Sequence, residues 1–108
     1  MRLLRVRPQA HKDVLAAADY YFAEANLDIA FRFVAAVEDT YSRLLEHPHI
    51  GTEVKTFKPR LAGLRLWPVP TFESYLVFYL AGPDALDIVR VLHGARNLPG
   101  ELGGPPTH

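Results

Sequence analysis

Basic residues that could bind an anionic target are grouped in two stretches of this 108-residue sequence. Two cations near the end of the last apolar segment, Arg90 and Arg96, flank a histidine, His93. Lysine and arginine bind phosphates and carboxylates, and histidine exchanges a proton near neutral pH. The other stretch contains no acidic residue and comprises Lys55, Lys58, Arg60 and Arg65.

RNA cleavage is one reaction for which these residue types suffice. It needs a base to remove the 2′-OH proton, cations to stabilise the phosphate, and an acid to protonate the leaving oxygen. In this interpretation Arg65 and Arg90 are the cations and His93 is the acid. The base is Glu53, which follows a turn and is otherwise expected to be solvated.

Each of these side chains also has a structural interpretation. Arg65 alternates with apolar neighbours, which is typical of the solvent face of a strand. Arg90 could instead pair with Asp87 or Glu73. At the end of an apolar strand, His93 could hydrogen-bond a backbone carbonyl and fix the course of the chain. The residues alone leave these alternatives open.

Two further pairs are better explained without chemistry. His47 and His49 have the spacing of metal ligands, but with no cysteine and no evident third ligand they indicate a helix end and turn, so no metal site is expected. Trp67 and Tyr79 could stack on nucleic-acid bases, but single aromatic residues in strands usually pack in cores.

Hydrophobic periodicity predicts the elements that must position these residues. Spacings of three and four indicate two helices, and alternation indicates strands. The brief break between the helices predicts an antiparallel hairpin. The segment over 52–63 shows no periodicity. The predicted order is a strand over 3–7, helices over 9–25 and 29–46, and strands over 64–69, 75–81 and 86–93.

Local signals refine these boundaries. Asp28 is a good N-cap for the second helix, and Pro48 ends that helix before Gly51, which can take positive φ. Pro68 predicts that its strand lies at an edge or contains a bulge. In the last strand, strict alternation places Leu86, Ile88 and Leu92 on one face and Val89 and Val91 on the other. This pattern requires burial on both faces or a bulge.

These elements predict an α+β fold in which the helical hairpin covers one face of an antiparallel sheet completed by a three-stranded meander. Residues 1–98 are expected to form a single domain, because the chain is long enough for one core. The Gly/Pro-rich tail over 99–108 is expected to be disordered.

Several segments, in this order and spacing, resemble the ParE branch of the RelE/ParE toxins of type II toxin–antitoxin modules. The resemblance covers about residues 1–98, although Asn97 stands where the closing motif usually carries Asp. The segments that carry it are Ala30-Phe31-Arg32-Phe33, Pro48-His49-Ile50-Gly51, Gly63-Leu64-Arg65, Leu76-Val77-Phe78-Tyr79 and Ile88-Val89-Arg90-Val91-Leu92-His93-Gly94-Ala95-Arg96.

The resemblance implies a toxin that inhibits DNA gyrase by protein contact and is neutralised by a cognate ParD-like antitoxin. RelE-type relatives instead cut messenger RNA on the ribosome, and a non-toxic antitoxin-binding module is a third possibility. The antitoxin is expected to dock along the first helix, at Val14, Ala18, Tyr21 and Phe22. The residues expected to contact the target are Lys55, Lys58, Arg60, Arg65, Arg90, His93 and Arg96.

Charge and composition favour the gyrase inhibitor over the ribonuclease. Twelve basic and twelve acidic residues give a net charge of zero, whereas a ribosome-directed nuclease would be expected to be strongly basic. We therefore expect no enzyme activity, no cofactor and no sequence-specific binding of nucleic acid by the toxin alone. The absence of cysteine, of a membrane-spanning run and of a secretion signal predicts a cytoplasmic protein.

Overall fold

A computed structural model describes residues 2–95, which form two helices and a five-stranded mixed sheet. None of the helices within residues 2–95 is long and apolar enough to cross a membrane. The predicted tail over 99–108 lies outside the described residues. The elements are β1 (Leu3–Val6), α1 (Pro8–Glu24), α2 (Leu27–Glu46), β2 (Thr52–Glu53), a 3-10 turn (Pro59–Leu61), β3 (Arg65–Val69), β4 (Phe72–Ala81) and β5 (Ala85–His93).

The sheet has the strand order β1-β5-β4-β3-β2. Strands β3, β4 and β5 form the predicted antiparallel meander, but β1 runs parallel to β5, with Leu3 opposite Ala85. The prediction of an antiparallel sheet is therefore wrong for β1. Alternation of apolar residues is the same in parallel and antiparallel strands, so it carries no information about direction.

Strand β2 lies in the segment without periodicity. It pairs with β3 through only two residues, too few to produce a visible pattern. Pro68 lies beyond this pairing, on the open edge of β3, and the register against β4 shifts directly after it. Both alternatives predicted for Pro68, an edge and a bulge, are thus present.

The helices begin at local capping signals. Pro8 occupies the first turn of α1, where its missing N–H costs nothing. The N-cap of α2 is Asn26, whose side-chain oxygen accepts the Ile29 N–H at 2.9 Å, so the assignment of this role to Asp28 is wrong. Asp28 instead lies in the first turn and pairs with Arg32 at 2.9 Å.

Apolar side chains fill both faces of the sheet. The larger core lies between the sheet and the helices and includes Phe33, Val37, Leu44, Val77 and Tyr79. A smaller cluster covers the opposite face, beneath the segment that precedes β3. Its buried members are Leu61, Leu64, Phe78, Val89 and Leu92.

A β-bulge explains the ambiguous pattern of β5. Phe78 pairs with Arg90 while Tyr79 pairs with Ile88, so Val89 is the extra residue. Leu86 and Ile88 belong to the helix-side core, and after the bulge Val91 joins them. Val89 and Leu92 belong to the other cluster. Strict alternation therefore assigned Val91 and Leu92 to the wrong faces, because a bulge shifts the pattern by one residue.

An ion pair joins α1 to β5 beside this bulge. The Asp13 carboxylate accepts hydrogen bonds from Arg90 Nε at 2.8 Å and Nη2 at 3.0 Å, and from the Val91 N–H at 3.0 Å. The two side chains are only 9% and 14% exposed. Buried charges of this kind are stable only while both partners are present.

Replacing Asp13 with alanine should therefore destabilise the fold strongly. The change removes the carboxylate that binds Arg90 and the Val91 N–H, and we expect a loss of about 3–5 kcal/mol in the free energy of unfolding. Urea unfolding followed by circular dichroism measures it. Asp28→Ala is the control, since it breaks the Asp28–Arg32 pair, both of whose side chains are 68% exposed, and should cost less than about 1 kcal/mol. Equal losses in the two variants would contradict the anchoring role of Asp13.

Candidate functional site

Arg65, assigned above to a phosphate or a protein target, is engaged within the chain. It donates to the backbone carbonyls of Gly51 at 2.7 Å and His49 at 3.3 Å, and it pairs with Glu53 at 3.4 Å. The guanidinium thus holds the segment that follows α2 against β3. Glu53 is exposed and faces this cation.

The Tyr79 side chain holds the same segment through two hydrogen bonds. Its hydroxyl donates to the Pro48 carbonyl at 2.8 Å and accepts the Gly51 N–H at 2.9 Å. Its side chain is fully buried, which confirms the core interpretation of Tyr79. Burial raises the pKa of the Tyr79 hydroxyl, and the Gly51 hydrogen bond and the Arg65 charge oppose that rise. Trp67 is half-buried and packs against the helix-side core.

Gly51 is required by close approach and not by backbone angle. A Cβ atom at this position would lie 2.5 Å from the Tyr79 hydroxyl and 2.8 Å from the Leu66 carbonyl. The prediction of positive φ at Gly51 is wrong, since among residues 2–95 the glycine with that geometry is Gly63, at φ 87°. His47 ends α2, and its carbonyl accepts the Ile50 N–H at 3.2 Å, which confirms the predicted turn.

His93 is held at the end of β5. Its Nδ1 accepts the Ala95 N–H at 3.2 Å, and its ring lies edge-on to Tyr75 with centroids 5.3 Å apart. The contact resembles the structural alternative predicted for His93, but the ring nitrogen accepts from an N–H instead of donating to a carbonyl.

Arg65, Arg90 and His93 are not gathered around one point. Arg65 pairs with Tyr79 on one side of β4, and His93 pairs with Tyr75 on the other. Tyr79 and Tyr75 are four positions apart along β4, which corresponds to about 13 Å. Arg90 is bound to Asp13. Each of the three residues therefore has its own intramolecular contact.

A cleft on the β5 side of the molecule brings together basic residues from distant parts of the sequence. Lys58 and Arg60 lie here with two residues that the sequence analysis did not single out, Arg7 and Lys12. About fifty positions separate the two pairs, so no sequence motif reveals them. We call this surface of about 430 Å³ the basic cleft; its lining is Arg7, Pro8, Gln9, Lys12, Lys58, Arg60, Leu61, Val89 and Arg90.

Of the other predicted target contacts among residues 2–95, Arg90 also lines the basic cleft, whereas Arg65 and His93 do not. Lys55 is exposed but does not line the basic cleft. Arg96 lies outside the described residues.

A second, apolar cleft lies on the other side of α1, beside the exposed edge strand β1. Its volume is about 400 Å³, and we call it the apolar groove. Within residues 2–95, β1 pairs with β5 alone, so the backbone groups along its outer edge have no strand partner. Most of its lining is contributed by apolar side chains, among them Leu4, Val6, Val14, Leu15 and Val34, together with Tyr41.

Tyr41 is the unusual residue of the apolar groove. Within residues 2–95 its buried hydroxyl has no hydrogen-bond partner. Burial raises the pKa of Tyr41 to about 12, and the nearby negative charges of Asp13 and Glu38 add to the effect. The hydroxyl is therefore held in its neutral form.

The four residues predicted to bind an antitoxin differ in their exposure. Val14 is buried and lines the apolar groove. Ala18 and Tyr21 pack against the core, where Tyr21 contacts the rings of Phe33 and Phe72. Phe22 is 57% exposed. Of these four, Phe22 is the most exposed, Ala18 and Tyr21 are partly buried, and Val14 is buried at the edge of the apolar groove.

Loss of the hydroxyl should destabilise the fold at Tyr79 but not at Tyr41. Tyr79→Phe leaves the Gly51 N–H and the Pro48 carbonyl without their partner, and we expect a loss of about 1–3 kcal/mol in the free energy of unfolding. Tyr41→Phe removes a hydroxyl that makes no hydrogen bond, so it should change stability by less than about 0.5 kcal/mol or increase it. Thermal and urea unfolding at pH 7 compare the two.

High pH provides a second readout for the same pair. The folded-state pKa of Tyr41 lies near 12, above its usual value of 10. The unfolded chain therefore loses this proton first, and the wild type loses stability as pH rises from 10 towards 12. Tyr41→Phe should lose less over that range. An equal decline would show that Tyr41 does not titrate as its burial requires.

The helical hairpin over a five-stranded mixed sheet defines a class of small α+β proteins that includes a chain described as the chromosomal ParDE TA system from P. aeruginosa. The two structures superpose with a TM-score of 0.71, covering 86% of this chain and 96% of that one. Their sequences are 17% identical, so this likeness establishes the fold alone. No individually curated protein matches this sequence.

The family is established by sequence. The family model for the ParE toxin of the type II toxin–antitoxin system, parDE, matches residues 4–98. The chain therefore belongs to the ParE toxin family, and the resemblance inferred from its motifs is confirmed. The predicted α+β architecture is likewise confirmed by the structural likeness.

Proposed function

We propose that this ParE-family toxin inhibits DNA gyrase by protein contact in the cytoplasm and is neutralised by a ParD-like antitoxin. The observation that carries the proposal is the family match over residues 4–98. Both the gyrase target and the neutralisation are functions implied by membership in that family.

The contacts of the nuclease candidates support a non-enzymatic mechanism. Arg65 is committed to two backbone carbonyls and Arg90 to Asp13. His93 uses Nδ1 to accept a backbone N–H. A ribonuclease needs cations and a proton donor that converge on one phosphate, and these three residues are spread across the sheet. The RelE-like alternative therefore has less structural support than gyrase inhibition.

The basic cleft is the surface best placed to engage the target. Lys58 and Arg60 come from the predicted basic stretch, and Arg7 and Lys12 extend the same positive surface. A charged surface of this kind accelerates encounter with an acidic partner and fixes its orientation. We assign the gyrase contact to these residues and a smaller role to Lys55.

Removing two charges from the basic cleft should weaken gyrase inhibition. The toxin concentration at which Lys58→Ala/Arg60→Ala inhibits supercoiling by half should rise by about tenfold, since the loss of two interfacial charges costs about 1–2 kcal/mol. Supercoiling and DNA-cleavage assays with purified gyrase measure this effect. The control is Arg32→Ala/Arg43→Ala, which removes two exposed charges from α2 and should inhibit like the wild type.

The assay separates three outcomes. Gyrase that supercoils normally in the presence of excess wild-type protein would refute the proposed target. Inhibition that is weakened equally in both double variants would place the contact outside the basic cleft. Because the substituted side chains are at most partly buried, matched circular dichroism spectra suffice to show that the variants are folded.

The apolar groove and the open edge of β1 support docking of the antitoxin. An extended segment is able to add a strand along β1 and place apolar side chains in the groove, a common mode of peptide recognition. Leu3, Leu4 and Val6 are exposed along this strand. Covering them with an antitoxin segment would remove an apolar sheet edge that is otherwise prone to aggregation.

A charge placed in the apolar groove should weaken antitoxin binding. Leu15 lines the groove on α1, so Leu15→Glu buries an unpaired carboxylate beneath the docked segment and should lower affinity at least about tenfold. Titration calorimetry with the cognate ParD-like antitoxin measures the affinity. Leu27→Glu is a matched control, because Leu15 and Leu27 are each 51% exposed and Leu27 lies outside the groove. Similar losses in both variants would move the docking surface elsewhere.

A further inference from the structure

The basic cleft concentrates positive charge on a chain whose net charge is zero. Besides Arg90, which is bound to Asp13, its cations come from three segments: Arg7 precedes α1, Lys12 lies on α1, and Lys58 and Arg60 lie before β3. Within residues 2–95, no carboxylate pairs with the side chains of Lys12, Lys58 or Arg60. The positive charge is therefore available to a ligand.

Two aspartates lie near the cleft, and each pairs with an arginine. Asp13 is saturated by Arg90 and the Val91 N–H. Asp87 lies 3.4 Å from Arg7, whose side chain remains 39% exposed. Neither aspartate lines the cleft. An entering anion therefore meets donors without repulsion from a carboxylate in the lining.

The backbone of α1 adds to this preference. Pro8 and Gln9 line the cleft at the start of a 17-residue helix that has no acidic residue in its first turn. The first N–H groups of a helix have no acceptor within it, and they favour a negative charge at that end. This effect strengthens the attraction that the four side chains already create.

The floor of the cleft distinguishes between possible anions. Leu61 and Val89 lie in the lining between the basic side chains and belong to the smaller apolar cluster. A sugar–phosphate backbone alternates charged phosphates with less polar sugars, so it matches a cleft that has cations at its rim and an apolar floor. In a run of aspartates or glutamates only one or two methylene groups separate each carboxylate from the backbone, a smaller apolar portion than a deoxyribose.

We propose that the basic cleft binds the phosphodiester backbone of a nucleic acid without reading its base sequence. Except for the Gln9 amide, the polar side chains of the lining only donate hydrogen bonds. They suit phosphate oxygens, whereas base edges present both donors and acceptors. This inference goes beyond the proposed function, because it concerns nucleic acid and needs no gyrase.

Fluorescence anisotropy of a short labelled DNA duplex, with no gyrase present, tests the inference on the full chain. Wild-type protein should bind, and the slope of log K against log salt should be about −2 to −4, as expected for two to four phosphate contacts. Lys58→Ala/Arg60→Ala should weaken binding by about tenfold. Arg32→Ala/Arg43→Ala carries the same change in net charge and should stay within about twofold of the wild type.

Competitors identify the chemistry of the ligand. An unlabelled DNA duplex of scrambled sequence should compete as well as the original one. A duplex RNA competitor shows whether the cleft binds DNA, RNA or both, and binding of either supports the inference. Displacement by poly-glutamate at a lower concentration than by DNA would overturn it in favour of an acidic protein segment. Equal weakening in the two double variants would also overturn it, since binding would then follow net charge alone.

The inference and the proposed function fail separately. If the wild type does not bind the duplex but inhibits gyrase, the nucleic-acid site is refuted and the gyrase proposal stands. If the duplex binds and gyrase is unaffected, the nucleic-acid site in the basic cleft is supported and the gyrase proposal is refuted.

Discussion

The hydrogen bonds of a single carboxylate, that of Asp13, determine how the helices sit on the sheet. It receives two N–H groups from Arg90 and one from the backbone of Val91, directly after the bulge of β5. The anchor fixes the rotation of α1 about its own axis, so that residues two positions apart in the sequence line different surfaces. Lys12 lines the basic cleft and Val14 lines the apolar groove. The two candidate binding surfaces are thus held on opposite sides of one helix.

The uneven use of its cations explains how a chain of zero net charge presents a strongly basic surface. Arg65 donates to the backbone carbonyl of Gly51, and Arg90 is bound to the carboxylate of Asp13. Lys58 and Arg60, by contrast, face a cleft that no carboxylate lines. Net charge describes long-range attraction, but recognition at short range depends on which charges are neutralised by their neighbours. In this protein the net charge of the chain is zero, whereas the basic cleft is positive.

Periodicity predicted the helices and the three long strands because their apolar residues recur over many positions. It could not show that Arg90 pairs with Asp13 instead of Asp87 or Glu73, since the partners are 77 positions apart. The same distance problem hid Arg7 and Lys12 from the candidate site. The parallel direction of β1 depends on backbone hydrogen bonding, which leaves no distinct pattern in the side chains, whereas the irregular alternation of β5 indicated its bulge as one of two explanations. The features that the sequence predicted are mostly local, and those that it did not predict depend on residues far apart in the chain.

The parallel pairing of β1 with β5 also governs when the fold is completed during synthesis. Leu3 and Val6 lie opposite Ala85 and Ile88, so β1 cannot pair until β5, about 80 residues later, has left the ribosome. Contacts between such distant segments form late, because a long loop must close before they contribute any stability. The hairpin of α1 and α2 is able to form early, but its anchor on β5 cannot. The nascent chain therefore remains incompletely folded until β5 has been synthesised.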